Sequence, residues 1–293
     1  MRFPEFEAMI GPAKLYPELW RLLLGLLVVA FCYAGGTALL SVALFLAVGP
    51  IEYFGWLRRV SLPQEPAPTL MLLATFAGML LGPVLAAGAC HFRGPGTLFG
   101  PWGEFRRSFA SVLAVTLPLY AVPLGLALAF EAPVENLPWE AWMRWLPYAL
   151  PLILLQVTAE EALFRGYLQQ QLAARFAARW VWMVVPSALF ASLHWNPTAG
   201  DAVWLVIGTT FLFALIVADL TARTGSLGAA VGLHFVNNAY GMLVISISGS
   251  LTGLAKWVTP FELGESAPVV FSLALNLAML AVLWRLLVWV LDR

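Results

Sequence analysis

The stretch Leu22-Leu-Leu-Gly-Leu-Leu-Val-Val-Ala-Phe-Cys-Tyr-Ala-Gly-Gly-Thr-Ala-Leu-Leu-Ser-Val-Ala-Leu-Phe-Leu-Ala-Val48 contains no charged residue. A helix that crosses a bilayer needs about 20 consecutive apolar residues, so this run is long enough to span a membrane. It is also much longer than the apolar core of a secretory signal peptide. We therefore expect a retained membrane span at this position.

The whole chain has the same apolar character. Of its 293 residues, 61% are hydrophobic and only 11% are charged, whereas a soluble domain has about 25% charged residues. This composition excludes a soluble protein, and it also excludes intrinsic disorder, which requires low hydrophobicity. Because 16 Lys and Arg residues balance 16 Asp and Glu residues, there is no net charge to attract nucleic acid, and we expect no nucleic-acid partner.

Apolar runs of membrane length recur along the chain and predict an all-α, polytopic membrane protein with about eight transmembrane helices. Segments rich in Pro and Gly separate these runs. The predicted spans are residues 22–48, 69–90, 109–130, 145–170, 180–195, 202–219, 226–248 and 268–290. We divide the chain into an N-terminal part with three helices (1–140), a core with helices four to seven (141–250), and a C-terminal loop with the last helix (251–293).

The distribution of Lys and Arg predicts the orientation in the membrane, because cytoplasmic loops carry an excess of both residues. If the N-terminus is cytoplasmic, the inside segments contain Arg2, Lys14, Arg21, Arg93, Arg106, Arg107, Arg175, Arg179, Arg223, Arg285 and Arg293. The outside segments then contain only Arg58, Arg59, Arg144 and Lys256. We expect both termini to lie in the cytoplasm.

The first group of ionisable residues within a predicted span is Glu160, Glu161 and Arg165. Each ionisable side chain near the bilayer centre costs about 2.5–3.5 kcal/mol on insertion scales and marks a functional site by default. Glu161 and Arg165 are four residues apart with the acid first, so they can pair on one helix face. Glu160 lies about 100° further round the helix and cannot readily share that arginine. Glu160 is therefore a candidate general base. The alternative is that all three residues form a structural ion-pair cluster.

Two histidine motifs follow on later spans. His194 ends an apolar span, and His194 and Glu160 are equally far in sequence from the turn at 175–179, which predicts a similar depth in the membrane. A carboxylate beside an imidazole can take a proton from water and pass it on. His234 and Asn238 are four residues apart and could donate two hydrogen bonds to one oxyanion. Interhelical hydrogen bonding is the alternative for this pair, and it is our interpretation of Asn237.

The three groups together resemble the motifs of a known family. Glu160-Glu-Ala-Leu-Phe-Arg-Gly166 is similar to an EExxxR motif, Phe190-Ala-Ser-Leu-His194 to FxxxH, and His234-Phe-Val-Asn-Asn238 to HxxxN. These motifs occur in this order in the CAAX-protease and bacteriocin-processing (CPBP) family of intramembrane glutamic endopeptidases. Thr224-Gly-Ser-Leu227, before the last motif, also resembles the family. The similarity covers about residues 145–245.

The resemblance implies a role for each motif residue. Glu160 and His194 would activate the attacking water, His234 and Asn238 would hold the oxyanion, and Glu161 and Arg165 would support the site. The substrate would be a membrane-associated protein or peptide. The resemblance leaves open whether it is a prenylated tail, a bacteriocin leader or a sorting-signal tail.

We therefore expect a metal-free intramembrane endopeptidase with its active site inside the helix bundle and with no cofactor. Two other functions remain possible from the residues. Glu160, His194 and His234 could form a zinc site of a membrane protease. Alternatively, the chain could be a non-hydrolytic transporter or immunity scaffold that uses its buried charges to conduct protons or to bind a peptide.

Overall fold

The computed structural model of the protein describes residues 3–292, apart from the side chains of Glu131 and Ser266, and this part of the chain is almost entirely helical. Arg2 and Arg293, which entered the orientation count, lie outside the described residues. The α-helices are α1 (Pro4–Ile10), α2 (Leu19–Ser61), α3 (Pro66–Ala74), α4 (Phe76–His91), α5 (Gly96–Phe99), α6 (Trp102–Leu126), α7 (Trp139–Glu161), α8 (Gln170–Arg175), α9 (Arg179–Ser192), α10 (Val203–Thr224), α11 (Gly228–Ala239) and α12 (Ser266–Leu291).

Shorter helical segments extend several of these helices. Wide π-type turns follow α6, α7 and α11 at Ala127–Glu131, Ala162–Gln169 and Tyr240–Val244. Tight 3₁₀ segments occur at Gly11–Lys14 and Pro197–Ala202.

Each predicted span lies largely within a helical region, so the all-α polytopic fold is confirmed. Within residues 3–292, five helical segments are long and apolar enough to cross a membrane: Leu19–Ser61, Pro66–His91, Trp102–Phe130, Pro197–Thr224 and Ala267–Leu291. The helices that carry the motifs differ from these five. α9 has 14 residues and α11 has 12, which is shorter than a full span, and α7 carries charged residues at both ends.

Glycines allow two pairs of helices to approach each other closely, α4 with α2 and α11 with α6. A Cβ atom at Gly78 on α4 would lie 2.7 Å from the carbonyl oxygen of Cys32 on α2. A Cβ atom at Gly228, the first residue of α11, would lie 2.1 Å from the carbonyl oxygen of Phe105 on α6. Small residues are typical of such contacts in membranes, where close packing replaces the hydrophobic effect between helices.

A small sheet closes one end of the bundle. Its strands are β1 (Val134–Glu135), β2 (Ile245–Ser248) and β3 (Trp257–Glu262), in the order β1-β3-β2, with β1 antiparallel and β2 parallel to β3. The predicted helical span 226–248 is therefore wrong at its end, because residues 245–248 pair as a strand. Lys256 is buried beside this sheet, where its ammonium group pairs with Glu135 and lies 4.4 Å from the ring centre of Trp139.

The opposite end of the bundle holds most of the residues that we assign to the inside. Arg175 donates a hydrogen bond to the carbonyl oxygen of Glu18 at 3.0 Å, and Arg223 pairs with Asp292 at 2.8 Å. Arg21 donates to the carbonyl oxygen of Cys90 at 2.9 Å. Arg175, Arg223 and Arg21 therefore lie at the end of the bundle away from the sheet.

Candidate active site

The acidic motif lies where α7 ends and a wider helical turn begins. α7 ends at Glu161 and continues into the π-type segment Ala162–Gln169, a local widening of the helix that is frequent at functional sites. Arg165 Nη1 donates a hydrogen bond to Glu161 Oε1 at 3.1 Å, and the two side chains are 1% and 0% exposed. The predicted pair between positions 161 and 165 is therefore present. Arg165 Nη2 also donates to the carbonyl oxygen of Ala214 on α10 at 3.2 Å.

His234 lies between the two carboxylates. Its Nδ1 atom is 2.8 Å from Glu161 Oε1, and its Nε2 atom is 3.4 Å from Glu160 Oε2. The imidazole is buried, and the ring of Phe213 packs against it with ring centres 5.1 Å apart. From this hydrogen-bond network we assign a proton to Nδ1 that is donated to Glu161. The Nε2 atom then faces Glu160.

Glu160 has a buried carboxylate oxygen with an open hydrogen-bonding position. Oε2 has no hydrogen-bond partner among the described residues, although the imidazole of His234 is close. A buried carboxylate oxygen is costly to leave unpaired. The oxygen can therefore accept a proton or a hydrogen bond from a small molecule.

His194 follows the end of α9 and is more exposed than His234. Its Nδ1 atom lies 3.0 Å from the carbonyl oxygen of Phe190, which accepts hydrogen bonds only, so Nδ1 carries the proton and Nε2 remains an acceptor. In the part of the chain that the structure describes, no ion pair or hydrogen bond joins His194 to Glu160. The direct neighbour of Glu160 is instead His234.

The ring of Phe190 connects these groups. Its centre is 4.8 Å from the ring centre of His194 and 5.8 Å from that of His234. The guanidinium carbon of Arg165 lies 4.7 Å from the same ring centre, a favourable position for a cation beside an aromatic ring. Phe190 therefore packs against both histidines and limits their orientations.

Asn238 belongs to a chain of amide groups that the sequence did not fully reveal. Its Nδ2 atom donates to Gln156 Oε1 at 2.9 Å, and its Oδ1 atom accepts from Asn237 Nδ2 at 3.2 Å. Asn237 in turn accepts from the hydroxyl of Tyr120 on α6 at 2.9 Å. Sequence reasoning missed Gln156, whose position four residues before Glu160 in an apolar helix was an available signal.

A small cavity brings three of the predicted site residues together. It has a volume of about 140 Å³ and is lined by Phe190, His194, Thr209, Thr210, Phe213, His234, Asn237, Asn238, Asn276 and Leu280. At about 30 Å³ per molecule, this space accommodates roughly four waters. His194 and Asn238, which lie on different helices, therefore face the same space as His234.

The described residues give no metal-binding group of a usual kind. No set of three or more His, Cys, Asp or Glu side chains in residues 3–292 is arranged to hold a metal ion. A larger cavity of about 870 Å³, lined by residues such as Glu104, Arg107 and Arg223, lies at the end of the bundle away from the sheet. It contains none of the motif residues.

Parts of the chain are similar to known proteins. Residues 142–240 match the family model described as type II CAAX prenyl endopeptidase Rce1-like. The chain is 30% identical over 141 residues to the uncharacterized protein YyaK of Bacillus subtilis (strain 168), and the match covers 46% of each protein. The chain thus spans about half the length of this curated relative, and no solved structure matches it.

The matched segment contains the acidic motif and both histidine motifs, and it supplies most of the side chains that line the small cavity. The protein is an integral membrane protein with several apolar helices. Residues 142–240 are therefore similar to the Rce1-like family, whose model is described as type II CAAX prenyl endopeptidase.

Proposed function

We propose that the protein is an intramembrane endopeptidase that hydrolyses a peptide bond with a water molecule activated by Glu160 and His194. The observation that carries this proposal is the small cavity that His194, His234 and Asn238 line together. Glu160 does not line this cavity, but its buried Oε2 atom, which has no hydrogen-bond partner among the described residues, lies 3.4 Å from Nε2 of His234. The family match to endopeptidases supports the same reaction class.

In the proposed reaction, Glu160 or the Nε2 atom of His194 takes a proton from water as its oxygen attacks the carbonyl carbon of the substrate. Both groups are free to accept, since Glu160 Oε2 has no partner among the described residues and Nδ1 of His194 is engaged by Phe190. The carbonyl oxygen becomes an oxyanion, and the transferred proton then moves to the leaving nitrogen. The C–N bond breaks, which leaves a carboxylate and an amine.

The oxyanion would accept hydrogen bonds from His234 and Asn238. Asn238 has two N–H groups, of which one is donated to Gln156, so the second remains for the substrate. His234 would donate from Nε2, the ring nitrogen that lies 3.4 Å from Glu160 Oε2.

The proposed reaction takes place within a membrane, on a substrate that is associated with it. The substrate is a membrane-associated protein or peptide, and the protein resides in the bacterial inner membrane with both termini in the cytoplasm. The catalytic core comprises residues 141–250, flanked by the N-terminal helices of residues 1–140 and by residues 251–293. Glu161 and Arg165 hold His234 in place through the bonds described above.

The first test compares membranes from cells that produce the wild type, Glu160→Gln or Glu140→Gln. Glu140 is an exposed carboxylate on the same helix and provides a matched control. We expect mass spectrometry of protein termini to show cleavage products with the wild type and with Glu140→Gln. Glu160→Gln should insert equally well but lose the products by at least 10²-fold, the usual scale for a general base.

Two results would favour the other functions. Stoichiometric zinc in the purified protein, with cleavage abolished by a chelator and restored by zinc, would replace the metal-free mechanism with a zinc mechanism. Immunity or transport that survives His194→Ala and Asn238→Ala, without any cleavage by the wild type, would identify a scaffold instead.

A further inference from the structure

Two polar side chains stand out on the apolar helix α12. Ser272 and Asn276 are four residues apart and therefore lie on one face. Neither side chain forms a hydrogen bond or ion pair with another described residue. An unpaired polar group is unfavourable in hydrocarbon, so their shared direction requires an explanation.

Both residues line a groove that borders the small cavity, since the two spaces share Asn237 and Asn276 as lining residues. The groove has a volume of about 590 Å³. Ser272 lines the groove, Asn276 lines both spaces, and Leu280 lines the cavity. These three positions mark one face of α12 over eight residues, or about 12 Å. Asn237 on α11 also borders both spaces.

The groove is apolar and opens between α6 and α12. Phe130, at the end of the helical region of α6, is 82% exposed, and Phe271 on α12 is 67% exposed. The lining residues in the described part of the chain include no charged side chain: they are Pro123, Leu126, Ala127, Phe130, Asn237, Tyr240, Gly241, Ile245, Ser246, Ile247, Ser250, Thr259, Phe271, Ser272, Leu273, Leu275, Asn276 and Met279. An occupant must therefore be uncharged and largely apolar.

The wall of the groove favours a polypeptide over a lipid chain. Ile245, Ser246 and Ile247 of β2 line it, and β2 is at the edge of the described sheet. The hydroxyls of Ser246, Ser250 and Thr259 already form hydrogen bonds within the chain. An extended backbone needs a hydrogen-bond partner for nearly every residue when it leaves water, and an edge strand together with the unpaired side chains of Ser272 and Asn276 can provide such partners. An acyl chain would leave the side chains of Ser272 and Asn276 without a hydrogen-bond partner.

We propose that the groove binds an extended, apolar polypeptide segment of the substrate, and that Asn276 hydrogen-bonds the backbone of this segment where it enters the catalytic cavity. This inference rests on the proposed function, because it assigns the substrate path to the same active site. It adds Asn276 and Ser272 of α12, outside the segment that matches the family, as substrate-binding residues.

Disulfide cross-linking in liposomes tests the occupant without requiring cleavage. The protein carries Glu160→Gln together with Ser272→Cys, and the probe is a synthetic peptide with about 20 apolar residues and one cysteine at stepped positions. Ala278→Cys, at an exposed position of α12, is the control. The parent chain with only Cys32 and Cys90 gives the background.

We expect Ser272→Cys to cross-link at least fivefold more than Ala278→Cys, with a preference for one region of the probe. Equal cross-linking at both positions, or loss of the Ser272→Cys product when free fatty acid is added, would overturn the polypeptide assignment. This result does not depend on catalysis, so it stands even if the wild type cleaves nothing.

Kinetics then test Asn276 itself, with a peptide that corresponds to a segment cut in wild-type membranes. Asn276→Leu should raise KM about 3- to 10-fold, the effect of one neutral hydrogen bond. A shortened peptide without the apolar segment should show no change, and Asn276→Ser should recover part of the loss. Ala278→Leu is the control. An unchanged KM in Asn276→Leu would contradict the inference, whereas no cleavage by the wild type would contradict the proposed function.

Discussion

The buried pair of Arg165 and Glu161 orients His234, since Glu161 Oε1 contacts both partners. Arg165→Met would leave this carboxylate without its permanent counter-charge. We expect a loss of about 3–5 kcal/mol in the free energy of unfolding, measured as a lower thermal unfolding midpoint in detergent. Glu161→Gln combined with Arg165→Met should be more stable than Arg165→Met alone, because no unpaired buried charge remains.

The exposed pair of Arg107 and Glu104 provides the matched control. Arg107→Met should change stability by less than about 1 kcal/mol, as is usual for surface ion pairs. If Arg165→Met were as stable as Arg107→Met, the buried pair would not have the structural role that we assign to it.

At this scale the sequence predicts the pairs that are close in sequence and misses the distant ones. The bond between positions 161 and 165 follows from helix geometry alone. The approach of His234 to Glu160, and of Gln156 to Asn238, depends on how α7 and α11 are rotated towards each other. The π-type turn at Ala162–Gln169 alters that rotation. The spacing of residues in the sequence does not predict this turn.

At the scale of the helices, the position of α11 depends on its contact with α6. A Cβ atom at Gly228 would meet the backbone of Phe105 at 2.1 Å and Ser108 Oγ at 2.5 Å, so Gly228→Ala must separate the two helices. We expect a loss of about 1–3 kcal/mol, typical of overpacking, and reduced cleavage because His234 shifts with α11.

Gly208 is the control for this substitution, because it is exposed on the helix α10 and a Cβ atom there would meet nothing within 4 Å. Gly208→Ala should preserve or slightly raise the unfolding midpoint, because Ala favours helix over Gly. Equal midpoints for Gly228→Ala and Gly208→Ala would show that the close contact between α6 and α11 is not required.

The elements themselves were largely predictable because membrane helices need long apolar runs. The small sheet was not, since β1 has two residues and β2 follows directly after a helical segment. Strands this short have no periodicity of their own, and they form only because β3 lies between them. The ends of the spans are therefore the least predictable parts of the fold.

At the scale of the whole molecule, the two ends of the bundle imply a definite topology. Lys256 is buried against Glu135 and Trp139, so it stabilises the sheet, and the exposed basic residues at that end are even fewer than the sequence count suggests. Gln64 is exposed near this end, and Gly94 is exposed near the opposite one. We predict that the end with Gly94 faces the cytoplasm.

A thiol reagent that does not cross membranes tests this topology in intact cells. Gln64→Cys should be labelled without permeabilisation, and Gly94→Cys only after it. The natural Cys32 and Cys90 lie within helices α2 and α4, and the unmodified chain provides their background. The reverse labelling pattern would refute the predicted orientation.

The central claim is that Glu160 activates a water molecule that cleaves a peptide bond inside the helix bundle. Its most direct test is mass spectrometry of a membrane peptide incubated with purified protein in liposomes. The account predicts one new carboxyl terminus and one new amino terminus with the wild type and with Glu140→Gln, and at least 10²-fold less product with Glu160→Gln. Equal product from Glu160→Gln and the wild type would contradict it.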